Sequence, residues 1–364
     1  MPILSYPSSP LILTLLLLLL SFPILFIFFL APSLLPPRRL TITTTDDLDD
    51  LSLFQKAISL SQSSTPAKSH HRPSTKSRLG STSTFRPKIA FLFLTNSDLY
   101  FLPLWHLFFN QTHPNLYNIY IHADPSIPIT PPTGVFADKI IPSKRTQRSS
   151  PTLVSAARRL LATALLHDPA NAYFTLTSQH CIPLHSFNHL YKFLFNIRKL
   201  QKNLDYLSYI EILSHSPILW DRYNARGENV MTPEVGFDQF RVGSQFFTLS
   251  RTHALKVIED RRLWRKFKLP CINVESCYPE EHYFPTLLSM VDLEGCSKYT
   301  LTRVNWTDSV NGHPHTYHPP EVSSELIHRL RESNSSYSYM FARKFSPDCL
   351  SPLMEIANSV IFKD

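Results

Sequence analysis

Lys88-Ile89-Ala90-Phe91-Leu92-Phe93-Leu94 places six consecutive apolar residues behind one lysine. A strand with one wet face alternates polar and apolar residues. One covered on both faces reads as a short continuous apolar run, so this stretch predicts a buried parallel strand. Downstream, Leu102 to Phe109 has helical spacing, and Tyr117-Asn-Ile-Tyr-Ile-His-Ala-Asp124 supplies a second strand, which makes the opening a βαβ unit. Ser150 is placed to cap a helix with Pro151 in its first turn, and Leu153, Ala156, Ala157, Leu160, Leu161, Ala164 and Leu165 keep one apolar face up to Asp168-Pro169. A strand at Tyr173 to Leu176 runs into the loop Thr177 to Pro183, and the alternation continues to Gly243-Ser-Gln-Phe-Phe-Thr-Leu-Ser250. The expectation is an α/β fold with a mostly parallel central sheet and ligands at the carboxyl ends of its strands.

Upstream of this body, residues 11–35 are almost unbroken Leu, Ile, Phe and small residues without charge, interrupted by Ser21, Pro23, Pro32 and Ser33. At about 1.5 Å per residue the segment is long enough to cross a bilayer. It exceeds the roughly 7–15 apolar residues of a cleaved signal peptide, so an anchor is expected. The leader 1–10 has no Lys or Arg, whereas Arg38 and Arg39 follow the span; charge alone favours the opposite orientation. Sequons at Asn110, Asn305 and Asn334 favour a lumenal remainder. The expected order is a cytosolic leader 1–10, a transmembrane anchor 11–35, a stem 36–87 and a lumenal domain 88–364. The stem is rich in Ser, Thr and Pro and is expected to lack order. Within it, Leu51, Leu53, Phe54 and Ile58 have the spacing of a short isolated helix over 49–60.

Composition excludes several chemistries. The net charge of +8 comes from scattered residues rather than basic clusters with aromatics, so no nucleic acid is expected as a partner. The five cysteines are odd in number and show no CxxC pair; Cys271 and Cys277 are close enough to close a small loop. Seven glycines form neither a GxGxxG nor a GxxxxGK[ST] loop, so a nucleotide must be held by other means. The DxD at Asp47-Leu48-Asp49 lies in the stem and reads as accidental. Two candidates remain. Arg343-Lys344, between apolar neighbours, reads either as an exposed basic pair or as cations that neutralise a diphosphate. Glu280 and Glu281 follow Pro279 in a helical first turn, where carboxylates serve either as dipole partners or, for one of them, as a general base beside Tyr283 and Phe284.

Six segments occur in order: Ile-Pro-Ser-Lys (141–144), Phe-Thr-Leu-Thr-Ser-Gln-His-Cys-Ile-Pro-Leu (174–184), Gly-Ser-Gln-Phe-Phe (243–247), Glu-Glu-His-Tyr-Phe-Pro-Thr (280–286), Leu-Thr-Arg-Val-Asn-Trp (301–306) and Phe-Ala-Arg-Lys-Phe (341–345). Together they resemble the core-2/I-branching N-acetylglucosaminyltransferase family in its plant form, over 88–364. The resemblance implies a GT-A-like fold and a single-pass type II protein of the Golgi membrane. It also implies transfer from a UDP-sugar to a glycan hydroxyl, inversion at the sugar carbon, and no metal or other cofactor. By motif matching it implies Glu281 as catalytic base, Lys344 against the donor diphosphate, Trp306 against the acceptor sugar and Asp124 beside the donor nucleoside. Arg343 is added as a donor-binding residue although the family segment has no basic counterpart there. A second diphosphate-binding cation has no match. Gln179-His180 and Glu280 depart from the pattern. Because a fold does not fix a function, a non-catalytic lumenal glycan-binding or scaffold protein is an alternative, and cleavage of the apolar segment would make the chain a secreted wall-binding module.

Overall fold

The computed structural model describes Thr14, Ser21 and residues 40–63, 86–196, 207–307, 309, 312–335 and 337–364. Leu40–Asp364 forms one compact unit, separate from Met1–Arg39. The expected anchor at 11–35 lies, Thr14 and Ser21 apart, outside the described residues. Among the described residues no helix is long and apolar enough to cross a membrane.

The elements in chain order are α1 (Thr44–Ser63), β1 (Lys88–Thr95), α2 (Leu102–Asn110), β2 (Tyr117–Ala123), α3 (Pro151–His167), β3 (Asn171–Ser178), β4 (Ile182–Pro183), α4 (Phe187–Asn196), β5 (Ser208–Glu211) and α5 (Leu219–Tyr223). There follow β6 (Thr248–Ser250), α6 (Arg251–Glu259), α7 (Trp264–Phe267), α8 (Pro279–Asp292), β7 (Cys296–Lys298), β8 (Thr302–Val304), α9 (Ser324–Arg331), β9 (Phe341–Arg343) and α10 (Leu350–Glu355).

The main sheet runs β2-β1-β3-β6-β5-β7, and a small one runs β4-β9-β8. β1 pairs in parallel with both β2 and β3, Phe91 lying opposite Ile119 on one side and Thr175 on the other. The unbroken apolar run of β1 follows from this position, because successive side chains enter two different cores. Ile89, Phe91 and Phe93 join Trp105, Phe108 and Phe187 of α2 and α4, while Ala90, Leu92 and Leu94 meet Val154, Ala157 and Leu161 of α3. The expected cap is present: the Ser150 side chain accepts from the Thr152 amide, with Pro151 opening α3. The sheet is mostly parallel, as the sequence suggests, with β6 lying antiparallel to both β3 and β5. Of the run Gly243 to Ser250, only the last three residues form a strand.

The expected stem needs correction. Its central part, with residues 36–39 and 64–85 outside the described set, is not a free spacer. α1 buries Phe54 and Ala57 in the same core as α3. Its Asp50 takes Arg159 in a forked ion pair, Nε to Oδ1 at 2.8 Å and Nη2 to Oδ2 at 2.7 Å. Both side chains are buried, and removing one partner of such a pair costs about 3–5 kcal/mol. The supposedly accidental DxD belongs to this docking: Asp47 bonds Lys268 at 2.7 Å and Asp49 bonds Lys144 at 2.9 Å. The pattern at 49–60 was a helix signal. What composition missed was that acidic residues in its first turns had cationic partners far along the chain.

Candidate active site

A cleft of about 200 Å³ opens at the carboxyl ends of β1 and β3. Leu94, Thr95 and Asn96 line it from β1, and Ser178, Gln179 and His180 from β3. Thr146, Gln147 and Arg148 border it from the loop between β2 and α3, as do Gln245 and Phe246 ahead of β6 and Arg343 at the end of β9. The site lies where the parallel part of the sheet ends, as α/β architecture predicts.

Its electrostatics are one-sided. Arg343 lays its guanidinium over the Phe246 ring at 4.4 Å, and its Nε is closed off from water without a hydrogen-bond partner. Burial lowers its pKa. Lys344 is also lowered, by burial and then by the charges of Arg343 and Arg148. Arg148 donates to His313 Nε2 at 2.7 Å and to the Gly312 carbonyl at 2.8 Å, neither of which supplies negative charge. His180 is depressed to about 4 by burial, with Lys344 and Arg343 adding to the effect, and is neutral near pH 7. Arg148 and Arg343 therefore line one side of a polar cleft with Lys344 close by, an arrangement suited to an anion with several oxygens.

A second wall of the site, beyond the residues that line the cleft, is the first turn of α8, which holds the Ser149 amide next to Arg148 and whose Glu281 charge reaches Arg343. Pro279 opens this helix, which places Glu280 and Glu281 at its positive end. The neighbours then diverge. Glu281 is partly exposed and pairs with Arg222 of α5; Arg343 feels its charge. Glu280 is 4% exposed, accepts from the Ser149 amide at 3.0 Å through Oε1 and leaves Oε2 without a partner. Burial, with the charge of Glu281, raises Glu280 to about 7. Tyr278 bridges the two walls, its ring facing Arg222 at 4.6 Å and Arg148 at 5.5 Å.

Gly243 explains part of the Gly-Ser-Gln-Phe-Phe segment. Its amide donates to the Glu281 carbonyl at 2.9 Å, and a Cβ there would sit 2.0 Å from the Glu211 carbonyl oxygen. Only glycine lets β5, the segment ahead of β6 and α8 meet. Glu211 is raised by burial and by Glu281, so a further carboxylate stands close behind that wall.

The structure brings Glu281, Arg343 and Lys344 together. Of the expected site residues Arg343 alone lines the cleft; Lys344 and Glu281 lie near it through their charges, and Asp124 and Trp306 lie outside the lining as well. Asp124, 3% exposed, ends β2 and spends both oxygens on the loop: Oδ1 accepts from the amide and hydroxyl of Ser126, Oδ2 from those of Thr146. Burial opposes its ionisation, but these bonds outweigh it and hold its pKa low. Trp306 stands 53% exposed just past β8. Asn110 and Asn334 are exposed, whereas Asn305 accepts from the Thr307 amide within its own sequon.

Sequence reading missed Arg148, Arg222 and Tyr278. Arg148 left a faint signal, a cation in a loop just before a capped helix; the other two left none. Cys271 and Cys277 are joined, and Cys181, Cys296 and Cys349 are buried thiols. His185, His189 and Asp364 gather elsewhere, but the imidazoles stack at 11° with centroids 4.2 Å apart. Parallel rings do not aim their nitrogens at one ion, and the group ties the chain end to α4.

Residues 89–331 match the family described as Core-2/I-Branching enzyme. The chain is similar to Glycosyltransferase BC10 of Oryza sativa subsp. japonica, with 25% identity over 309 residues, 71% of this chain and 74% of that protein. With a match across most of the chain, and with cations and a carboxylate facing one another at the ends of the parallel strands, the protein belongs to the Core-2/I-Branching enzyme family and is a glycosyltransferase.

Proposed function

We propose that the enzyme moves a sugar, by family resemblance N-acetylglucosamine, from a UDP-sugar to a glycan hydroxyl with inversion and without a metal. One observation carries this reading: Arg148 and Arg343 line the cleft, Lys344 stands close enough to feel both charges, and Arg343 Nε has no partner of its own. Fixed cations at the leaving group supply the charge stabilisation that a metal supplies elsewhere. Glu281 accepts the proton of the acceptor hydroxyl, whose oxygen forms a bond to the anomeric carbon. The bond from that carbon to the diphosphate breaks, and its electron pair leaves on the diphosphate oxygen beside Lys344, Arg343 and Arg148. Arg222 fixes the carboxylate of Glu281 in the wall, and the exposed Trp306 offers an aromatic face for the acceptor. Asp124 serves the donor nucleoside indirectly, by holding Thr146.

The apolar segment 11–35 and the exposed sequon asparagines Asn110 and Asn334 support a type II protein of the Golgi membrane with this domain in the lumen. The test is to incubate the full chain with a panel of UDP-sugars and oligosaccharide acceptors in EDTA and follow UDP release. Release from one donor in EDTA is expected. A strict requirement for Mn²⁺ would remove the metal-independent mechanism, and failure of any donor to turn over or bind would remove the catalytic reading.

A further inference from the structure

The loop that carries Arg148 into the cleft is held from several directions, and one of them is α1. Asp124 fixes Thr146 from β2, with bonds of 2.7 and 2.9 Å. Thr152 accepts from the Gln147 amide at 2.9 Å, and Glu280 accepts from the Ser149 amide. The remaining anchors come from the segment ahead of the catalytic domain. Leu40 donates its amide to Gln147 Oε1 at 2.7 Å. Lys144, which closes the Ile-Pro-Ser-Lys motif, reaches Asp46 at 2.8 Å and Asp49 at 2.9 Å. The Lys144 amide donates to His122 Nε2 at 3.3 Å, and Arg159 donates to the same nitrogen at 3.1 Å while gripping Asp50. Burial and Arg159 depress His122 to about 3, so this nitrogen stays an acceptor.

Apolar burial of Phe54 and Ala57 alone would dock a helix. It would not require Asp46 and Asp49 both to reach Lys144, and Leu40 to reach Gln147, in the one loop. We infer that α1, with Leu40 just ahead of it, is a positioning element of the donor site: through Leu40, Asp46, Asp49 and Asp50 it sets the loop that presents Arg148. This rests on reading the cleft as the donor site. The expected stem thereby becomes part of the enzyme, and Lys144 acts through the loop rather than on the donor.

The test uses the full chain, with UDP as the probe. Lys144→Glu reverses the contact with α1, Asp46→Asn with Asp49→Asn removes it while keeping shape, and Lys144→Glu with Asp46→Lys and Asp49→Lys restores it in reverse. Hydrogen exchange at the Thr146, Gln147 and Ser149 amides is expected to quicken in the first two. UDP affinity should weaken about fivefold, and both should recover in the third. A purely structural role for the pairing would not produce recovery at the loop and in UDP affinity together. Unchanged exchange and unchanged UDP affinity in both loosened variants would overturn the inference. If exchange quickens but the unaltered chain does not bind UDP, the coupling stands and the donor reading falls. The double Asn variant covers the case in which Lys144→Glu fails to fold.

Discussion

The two walls of the cleft are built differently. On the strand side, Thr95 and Ser178 end β1 and β3, whose positions are fixed by parallel register with each other. On the helix side, Glu281 and Arg222 come from the first turn of α8 and from the short α5, and each is held chiefly by the other. Strand ends inherit precision from a ladder of hydrogen bonds, whereas a helix terminus takes it from particular side-chain partners. The strand wall therefore suits the fixed chemistry of binding a diphosphate. The helix wall suits the group whose partner must change when an acceptor arrives.

The sharpest way to break this division is Glu281→Gln. It keeps size and a hydrogen-bonding oxygen toward Arg222 but cannot take a proton. Turnover should fall by roughly 10²- to 10⁴-fold, the usual contribution of a general base, with UDP affinity nearly unchanged. Measuring kcat beside UDP binding separates the walls. A variant with near-native kcat would remove Glu281 from its role, and one that loses UDP binding would show that the walls are not independent.

On the strand side, Lys344→Ala should lower kcat by about 10²-fold, within the range for losing one preorganised donor to a developing anion. Arg343 and Arg148 remain to bind the ground-state diphosphate, so the loss should fall more on kcat than on the affinity for UDP. Equal losses in both would mean that Lys344 binds donor and transition state alike. Unchanged turnover would leave Arg343 and Arg148 as the cations that matter.

The two walls were also unequally legible in the sequence. Parallel strands write themselves as apolar runs, and Lys88 to Leu94 placed β1 and its cleft end almost to the residue. Ser150-Pro151 announced α3, and Pro279 announced α8 with Glu281 in its first turn. By contrast, Arg222 lies 59 residues from Glu281, and no local pattern links them. Arg148 looked like any loop cation until its neighbour Ser149 was seen to be held by Glu280, 131 residues further along the chain from Ser149. The helix at Thr44–Ser63 had a visible period, but its partners Lys144, Arg159 and Lys268 lie about a hundred residues or more downstream, and stem composition concealed them. Local physics reads elements well; pairings across the fold are written only in three dimensions.

The smallest expected effect concerns Glu280, which separates the two members of the acidic pair. In the folded protein its carboxyl keeps a proton up to about pH 7, because burial disfavours the charge and Glu281 stands next to it. The unfolded chain releases that proton near pH 4.3. Between these values the folded state binds more protons, so this group makes stability fall as pH rises, with the full cost reached above about 7. Glu280→Gln preserves the acceptor for the Ser149 amide and removes the titration. It should therefore be more stable than the unaltered protein at pH 8, by on the order of 3 kcal/mol at most, and melt at a higher temperature, and the two should converge toward pH 4. Thermal melts of both at several pH values decide it. Parallel curves would mean that Glu280 ionises in place at no cost, and that the acidic pair is two anions rather than one anion beside a neutral acid. The expected divergence shows that Glu280 is buried in this helix turn as a neutral acid, a role distinct from that of Glu281, which pairs with Arg222.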